Sequence, residues 1–386
     1  MWKIPLADVH FGPEETAAVT EVLESGWLSQ GPRVERFEAA FADYLGVKHA
    51  IAVANGTAAL HLACLALGLG PGDEVLCPAL TFVATANAIG YTGARPVFVD
   101  INGPHDLNIA AADAGGKITA RTKAVMLVHY AGFPVEMAAF QELARRHGLA
   151  LIEDCAHAPG AVYYGPPGGP KVGSLGTAAC FSFFANKNMT TGEGGLVATN
   201  DDQLAARVRT GRSHGMSTLT WDRHRGHSFS YDVVAPGYNY RLDEVRAGLG
   251  LVQLERLEAN NARRRELTRL YRERLTVIPG LEVPFLAADP ATSACHIMPI
   301  LLPPGADRQA CMAALKEQGI QTSVHYPPIH RFTHYQNLFP ADYDHGLPHT
   351  EDAAARELTL PLYPTLTEQQ VEEVVGAVVD FLATEG

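Results

Sequence analysis

Short apolar runs alternate with segments of helical periodicity up to about residue 240 of this chain. The runs are apolar throughout, which is typical of strands in a mainly parallel sheet whose two faces are both covered by helices. A helical segment at 135–147 separates two of them. We therefore predict an α/β fold whose strands lie at HAIAVAN (49–55), EVLCPAL (74–80), RPVFVD (95–100), KAVMLVHY (123–130), LALIED (149–154), AACFSFF (178–184) and GGLVATN (194–200).

The pattern changes after this region. Residues 243–275 form one long helical stretch rich in Arg and Glu. Beyond it the sequence predicts a strand and two helices, at 296–303, 307–318 and 367–382. A chain of 386 residues is long enough for two domains. We predict a large domain at 1–245 and a smaller C-terminal α/β domain at 246–386 that begins with the long helix.

Charge and apolar content narrow the class of partner. The formal net charge of −12 disfavours nucleic acid or an anionic membrane as the main partner. No apolar run reaches the length of a membrane span, and residues 1–12 lack the long apolar stretch of a signal peptide, so we expect a cytoplasmic protein. The six cysteines include no Cys-x-x-Cys pair, and we expect reduced, mostly buried thiols.

Histidine pairs at 224 and 227 and at 330 and 334 have spacings that could hold a metal. Neither an HExxH motif nor a cysteine partner accompanies them, so we expect no metal site.

Polar segments follow several of the predicted strands, at the sheet edge where α/β proteins bind ligands. Asn55-Gly56-Thr57-Ala58 joins a strand to a helix, whose first N–H groups could hold a phosphate or could simply form a capped turn. Asp154 ends a very apolar strand, where a buried acid needs a positive partner: a protonated pyridine nitrogen, or a structural ion pair. Lys187 follows another strand end and could form a Schiff base in a dry pocket, or lie in a solvated loop.

A fourth segment, Gly237-Tyr238-Asn239-Tyr240-Arg241, precedes the long helix. Its neutral amide and fixed cation suit an anion or a carboxylate, and a surface turn is the structural alternative.

Together and in this order, these segments resemble the DegT/DnrJ/StrS family of sugar aminotransferases, over essentially the whole chain. The matching segments are GWLSQGP (26–32), NGTAALHLA (55–63), TFVATANAI (81–89), EDCAHAPGA (153–161), VGSLGTAACFSFFANKNMTTGEGG (172–195), GYNYRLDE (237–244) and HYPPIH (325–330). The resemblance implies the fold type I architecture of pyridoxal-phosphate-dependent transferases, with pyridoxal 5′-phosphate (PLP) as cofactor and pyridoxamine 5′-phosphate as its intermediate form.

The resemblance also implies roles for particular residues. Lys187 would hold the cofactor covalently and move the substrate proton, and Asp154 would keep the pyridine nitrogen protonated. Further cofactor contacts are implied for Gly56, Thr57, Ala58, Phe82, His157, Ser182 and Asn239. Phe82 would stack on the ring, and Asn239 would reach the phosphate from the neighbouring subunit of a homodimer with shared active sites. Substrate contacts are expected from Ser29, Arg223, Arg225, Arg241, His325 and Tyr326.

The acceptor is less constrained than the cofactor. Relatives mostly aminate nucleotide-linked 3-keto or 4-keto-6-deoxy sugars, with glutamate as the expected amino donor, and some aminate keto-inositols with glutamine or glutamate. The segment at 213–231 is basic and aromatic in an acidic chain, which favours a nucleotide diphosphate. The structural alternative is a solvated loop that packs at the dimer interface. Two other functions are possible for a chain of this kind. One is a sugar dehydratase, which Lys187 disfavours because that branch of the family carries His in its place. The other is a cofactor-binding regulator, which the presence of both Lys187 and Asp154 disfavours.

Overall fold

The structure is a computed structural model that describes residues 2–164, 169–218, 226, 230–338 and 346–385. The helices are α1 (Pro13–Ser25), α2 (Pro32–Leu45), α3 (Gly56–Ala66), α4 (Ala84–Tyr91), α5 (Ala111–Gly116), α6 (Met137–His147), α7 (Asp202–Gly211), α8 (Glu244–Leu275), α9 (Arg308–Glu317), α10 (Thr333–Leu338), α11 (Pro348–Arg356) and α12 (Glu368–Glu385). The strands are β1 (His49–Val53), β2 (Glu74–Pro78), β3 (Arg95–Val99), β4 (Ile101–Gly103), β5 (Asp106–Ile109), β6 (Thr122–Val128), β7 (Ala150–Asp154), β8 (Ala178–Ser182), β9 (Gly195–Thr199), β10 (Met298–Leu301) and β11 (Glu357–Leu360).

A seven-stranded sheet in the order β1-β9-β8-β7-β6-β2-β3 forms the centre of the molecule. Strands β8, β7, β6, β2 and β3 each pair in parallel with the next strand in this order. Strand β9 pairs antiparallel with both β8 and β1. Strand β9 therefore runs alone against the other six strands. The mainly parallel sheet predicted from the apolar runs is confirmed, and the antiparallel strand β9 makes it a mixed sheet. The carboxyl ends of six strands share one edge.

All seven predicted strands form, but most end earlier than the apolar runs suggest. The predicted strand at 49–55 stops at Val53 because the side chain of Asn55 accepts a hydrogen bond from the Ala58 N–H and caps α3. The run at 178–184 likewise stops at Ser182. The sequence patterns missed the β4–β5 hairpin and strand β11, which are only three or four residues long. Such short strands carry too few residues to show a period.

Apolar side chains fill both faces of the sheet. On one face α3, α4 and α7 contribute to a core with Leu62, Ile89 and Val208. On the other, Phe37 and Phe41 of α2 pack edge-on against Phe183, and Phe140 of α6 closes a further cluster. Burial on both faces explains why these strands read as continuous apolar runs.

The long helix predicted at 243–275 is confirmed as α8, which begins at Glu244 because the side chain of Asp243 accepts a hydrogen bond from the Arg246 N–H. At 32 residues it is about 48 Å long. It contacts α1 and α2 on one side and α12 on the other. Within it, Arg264 is buried and donates to the carbonyl oxygens of His296 and Leu362. Helix α8 thus bridges the central sheet and the C-terminal elements.

The C-terminal elements build a second core around the antiparallel pair β10–β11. The chain's start joins this part: Ile4 is fully buried in that core, and the N–H of Gln321 donates to its carbonyl oxygen at 2.9 Å. The division of the chain at residue 245 stays a prediction.

Two further sequence expectations concern the whole chain. All six cysteines are free and buried, as predicted. None of the described helices has the length and apolar character needed to cross a bilayer.

The start of β9 lies against the turn between β1 and α3, and this contact gives a stability prediction. A methyl group on Gly195 would overlap the carbonyl group of Asn55 and lie 2.8 Å from the Gly56 nitrogen. We expect Gly195→Ala to destabilise the protein by about 1–3 kcal/mol, the usual cost of overpacking. Gly376→Ala in α12 is the matched control, because nothing lies within 4 Å of its added methyl group, and it should stabilise by about 0.5–1 kcal/mol. Urea unfolding of both variants would measure this, and equal midpoints would contradict it.

Candidate active site

A cavity of about 430 Å³ opens at the edge where the six co-directional strands end. Three strand ends supply its polar wall: the turn after β1, the last residue of β7 and the segment after β8. The parallel pairing of β7 with β8 places Asp154 beside Cys180, so the two chains leave the sheet side by side. Sequence segments that are far apart in the chain therefore meet in one cavity.

Lys187 lies in a tight turn after β8, in which its N–H donates to the Phe184 carbonyl oxygen at 2.9 Å. The side chain is half-buried and lines the cavity. Removal from water lowers the pKa of its amine to about 8, against an opposing effect of the negative charge of Asp154. An amine with this pKa is partly unprotonated near neutral pH, as a nucleophile or a base must be.

Asp154 is buried at the end of β7, and two groups hold its carboxylate. The hydroxyl of Thr85 donates to one oxygen at 3.0 Å and the Ala156 N–H to the other at 3.1 Å. Burial raises the pKa of Asp154, whereas these hydrogen bonds and the charge of Lys187 act to lower it. A carboxylate in such a place is poised to bind a cation or an N–H donor.

The amino end of α3 points into the same cavity, which Asn55, Gly56 and Thr57 line. The first N–H groups of a helix have no partner within it, and their dipoles favour an anion. The Ala58 N–H is bonded to Asn55 Oδ1 at 2.8 Å, and the predicted cofactor contact of Ala58 stays a prediction. Gly56 lies so close to Ser182 that an added Cβ would be 2.8 Å from the serine Cβ. Gly56, Thr57 and Ser182 thus form one cradle.

Aromatic and imidazole rings also line the cavity. The ring of Phe82, 56% exposed, lies 5.9 Å from that of Tyr326. The Tyr326 hydroxyl and His157 Nε2 are hydrogen-bonded at 2.9 Å. Burial, with the charge of Lys187, lowers the pKa of His157 well below its usual range, so this imidazole is neutral. His325 lines the cavity beside Tyr326.

Several predicted residues lie elsewhere. Ser29 and Asn239 are exposed, and neither lines the cavity of this single chain. Arg241 is half-buried in a bridge to Val53 and also lies outside the cavity lining. Arg223 and Arg225, in the basic segment, fall outside the described residues.

The sequence patterns missed three residues of the site. Thr85 holds Asp154 from α4, and Asn186 places a buried side-chain oxygen in the cavity that has no partner among the described residues. Glu193 also lines the cavity. The hydroxyls of Thr81 and Thr85 are hydrogen-bonded at 3.2 Å. These two threonines lie four residues apart in a segment that resembles the family, and this spacing could have indicated Thr85 as a site residue.

Behind the site, His129, Glu153 and Cys155 bring possible metal ligands within 4.8 Å of one another. His129 Nε2 binds Glu153 at 2.9 Å, while its Nδ1 accepts a hydrogen bond from the Val135 N–H. Glu153 also accepts from Gly176 N–H and from the Tyr163 hydroxyl. These groups saturate one another, which is the pattern of a buried hydrogen-bond network.

Comparisons with known proteins agree with this geometry. Residues 10–379 match the family model of the DegT/DnrJ/EryC1/StrS aminotransferase family. The chain is 43% identical over 379 residues to the spore coat polysaccharide biosynthesis protein SpsC of Bacillus subtilis (strain 168), covering 96% of this chain and 95% of SpsC. The structure superposes on PseC of Helicobacter pylori, an aminotransferase involved in the biosynthesis of pseudoaminic acid, with a TM-score of 0.90, 32% identity and 99% coverage of both chains.

A further solved structure, Spr1654 of Streptococcus pneumoniae in its PMP form, gives a TM-score of 0.90 at 26% identity and covers 99% of this chain and 100% of that one. The fold type I architecture expected from the sequence resemblance is confirmed by these superpositions.

The lowered pKa of Lys187 is directly testable in the cofactor-free protein. Competitive acetylation read by mass spectrometry should give Lys187 a midpoint near pH 8, because burial disfavours its charge. An ordinary lysine titrates near ~10.4, and exposed Lys123 is the internal control. In Asp154→Asn the midpoint should fall further, since the aspartate charge raises the pKa of Lys187. A midpoint for Lys187 equal to that of Lys123 would contradict the assignment.

Proposed function

Because this chain belongs to the DegT/DnrJ/EryC1/StrS aminotransferase family, it is a sugar aminotransferase, and we propose that it carries PLP on Lys187. We further propose that it moves an amino group from L-glutamate to a nucleotide-linked 3-keto or 4-keto-6-deoxy sugar. The observation that carries the proposal is the pairing of one amine of lowered pKa with one buried carboxylate in a single cavity. SpsC and PseC support a sugar acceptor, since both belong to the biosynthesis of sugars or polysaccharides.

The cavity fits a phosphate at one end. The N–H groups of Gly56 and Thr57 and the hydroxyl of Ser182 would bind its oxygens, and the helix dipole of α3 would favour its charge. The close approach of Gly56 to Ser182 leaves no room for a side chain at residue 56. A glycine there allows the two segments to surround one anion.

The rest of the cavity fits a planar ring. Asp154 would accept the pyridine N–H, Phe82 offers a half-exposed aromatic face, and His157 has a buried Nδ1 with no partner among the described residues. When bound, PLP supplies an electron sink that stabilises negative charge at the substrate's Cα. Thr85 holds Asp154 in place, so that the carboxylate stays oriented toward that nitrogen.

Lys187 would do two tasks with one amine. Its unprotonated form would hold the cofactor, and once freed the same amine would take and return the substrate proton. Both tasks need the uncharged amine, and burial makes it available near neutral pH by lowering the pKa of Lys187 to about 8. The half-buried aromatic wall of Phe82 and Tyr326 would keep bulk water away from this step.

We also propose a homodimer with shared active sites. Residues 231–236 and Asn239 are exposed in the single chain, next to the bridge between Ser213 and Asn239. A partner subunit could bury this segment and receive Asn239 at its phosphate cradle. We also propose that the basic segment at 213–231 recognises the diphosphate of the acceptor.

A substrate screen tests the proposed reaction. Protein with PLP, glutamate and a panel of keto-sugar nucleotides and keto-inositols should yield an aminated nucleotide sugar, detected by mass spectrometry. Lys187→Ala should lose about 10²–10⁴-fold or more of the rate, because the variant lacks the amine that would attach the cofactor and move the proton. Lys123→Ala, an exposed lysine on β6, should match the wild type. Amination of keto-inositols alone would replace the nucleotide-sugar proposal, and no glutamate turnover would contradict the aminotransferase reaction.

Recognition of the diphosphate is a separate prediction. Arg223→Ala and Arg225→Ala should leave the glutamate half-reaction unchanged and raise the apparent KM for the acceptor by roughly 10- to 100-fold, since a charged hydrogen bond contributes about 1.5–3 kcal/mol. Added salt should weaken acceptor binding more in the wild type than in these variants. Arg145→Ala, which removes an exposed side chain bound to Glu142, is the control. Wild-type KM values in both variants would mean that the segment has no part in acceptor binding.

A further inference from the structure

A chain of three hydrogen-bonded side chains runs from the cavity into the small C-terminal sheet. His325, which lines the cavity, binds the hydroxyl of Thr359 through Nδ1 at 2.8 Å. That hydroxyl also binds Oε1 of Glu357. Thr359 and Glu357 both lie on β11 and are fully buried. The cavity is thus connected to a buried carboxyl group in a different part of the fold.

The remaining polar groups of His325 are fixed as well. Its N–H donates to Glu357 Oε2 at 2.7 Å, and its carbonyl oxygen accepts from the Tyr130 hydroxyl. Of the polar atoms of His325, Nε2 alone has no hydrogen-bond partner among the described residues. Because Nδ1 is engaged behind the ring, Nε2 is the atom that a molecule in the cavity can reach.

The surroundings of Glu357 make its protonation state sensitive to pH. Burial raises the pKa of Glu357 to about 8, against smaller opposing effects of Thr359, the His325 N–H and Arg308. The Arg308 guanidinium donates to the main-chain oxygens of Ala354 and Glu357. Glu357 is therefore protonated below about pH 8 and ionised above it. Among the described residues, the hydroxyls of Tyr130 and Tyr326 also lie near enough to interact with this carboxyl.

His325 stays neutral over the same range. Burial and the charge of Lys187 lower its pKa to about 4. The nearby imidazoles of His157 and His296 are also neutral, because burial lowers the pKa of both well below the usual range. A change at Glu357 can therefore alter which nitrogen of His325 carries the proton without charging the ring.

We propose that Glu357 acts through Thr359 to decide which ring nitrogen of His325 is protonated, and so whether Nε2 donates or accepts in the cavity. Thr359 has one hydroxyl proton, so the chain has two orientations. When Glu357 is protonated it donates to Thr359, the threonine donates to Nδ1, and Nε2 carries the ring proton. When Glu357 is ionised it accepts from Thr359, Nδ1–H donates to the threonine, and Nε2 is a bare acceptor.

The consequence for catalysis rests on the proposed function. A keto-sugar offers a carbonyl oxygen, which can only accept hydrogen bonds, and hydroxyl groups. Near neutral pH the Nε2–H of His325 would donate to such an oxygen, and above about pH 8 it could not. Glu357 would thus be a positioning residue that keeps the cavity in its donor form at neutral pH.

Nitrogen NMR on histidine-labelled, cofactor-free protein tests the proposal without any turnover. His325→Gln identifies the His325 signals. In the wild type these signals should change from the Nε2–H to the Nδ1–H tautomer between about pH 6 and about pH 10, with a midpoint near 8. Glu357→Gln should hold the Nε2–H form throughout, because an amide N–H donates to Thr359 as the protonated acid does.

Two threonine variants separate this role from simple packing. Thr359→Val removes the hydroxyl at nearly constant volume and should abolish the pH-dependent change, whereas Thr359→Ser should restore it. In turnover with the best acceptor, the wild-type KM should rise about tenfold or more above pH 8, and Glu357→Gln should remove that rise. A single His325 tautomer at every pH, or the same change in wild type and Glu357→Gln, would overturn the proposal. If the NMR change occurs and no acceptor is turned over, the proposed function fails and the relay does not.

Discussion

The parallel pairing of β7 with β8 is the contact on which the site depends. It sets Asp154 beside Cys180, so the carboxylate at the end of one strand and the lysine-bearing turn after the next enter the same cavity. Strand β1 runs in the same direction and brings the amino end of α3 to that edge. Because β9 starts at this edge with Gly195, its backbone can lie against the turn that precedes α3.

Burial controls the chemistry of the groups that meet there. It lowers the pKa of Lys187 to about 8 and raises the pKa of Asp154, while their mutual attraction opposes both shifts. Desolvation also keeps His157 and His325 neutral. The cavity therefore holds one tunable amine, one hydrogen-bonded carboxylate and a set of neutral rings. That combination suits an enzyme that moves protons between uncharged partners near neutral pH.

Sequence patterns predicted much of this arrangement. Continuous apolar runs predicted the buried strands. The polar residues that follow these runs pointed to Asp154 and Lys187. The residues that support them escaped, because Thr85 and Thr359 look like ordinary helix and strand residues until the fold brings them to Asp154 and His325. The exposure of Asn239 and Ser29 could not be predicted from the sequence patterns either. Their expected partners are a second subunit and a substrate, which lie outside the chain.

The central claim is that Lys187 carries the cofactor, and covalent trapping tests it most directly. Protein loaded with PLP, reduced with borohydride, digested and mapped by mass spectrometry should carry the label on the peptide that contains Lys187 and on no other lysine. The Lys187→Ala variant, treated in the same way, should retain some cofactor without a covalent label. A label on any other lysine of the wild type, or an equal label in the variant, would contradict the account.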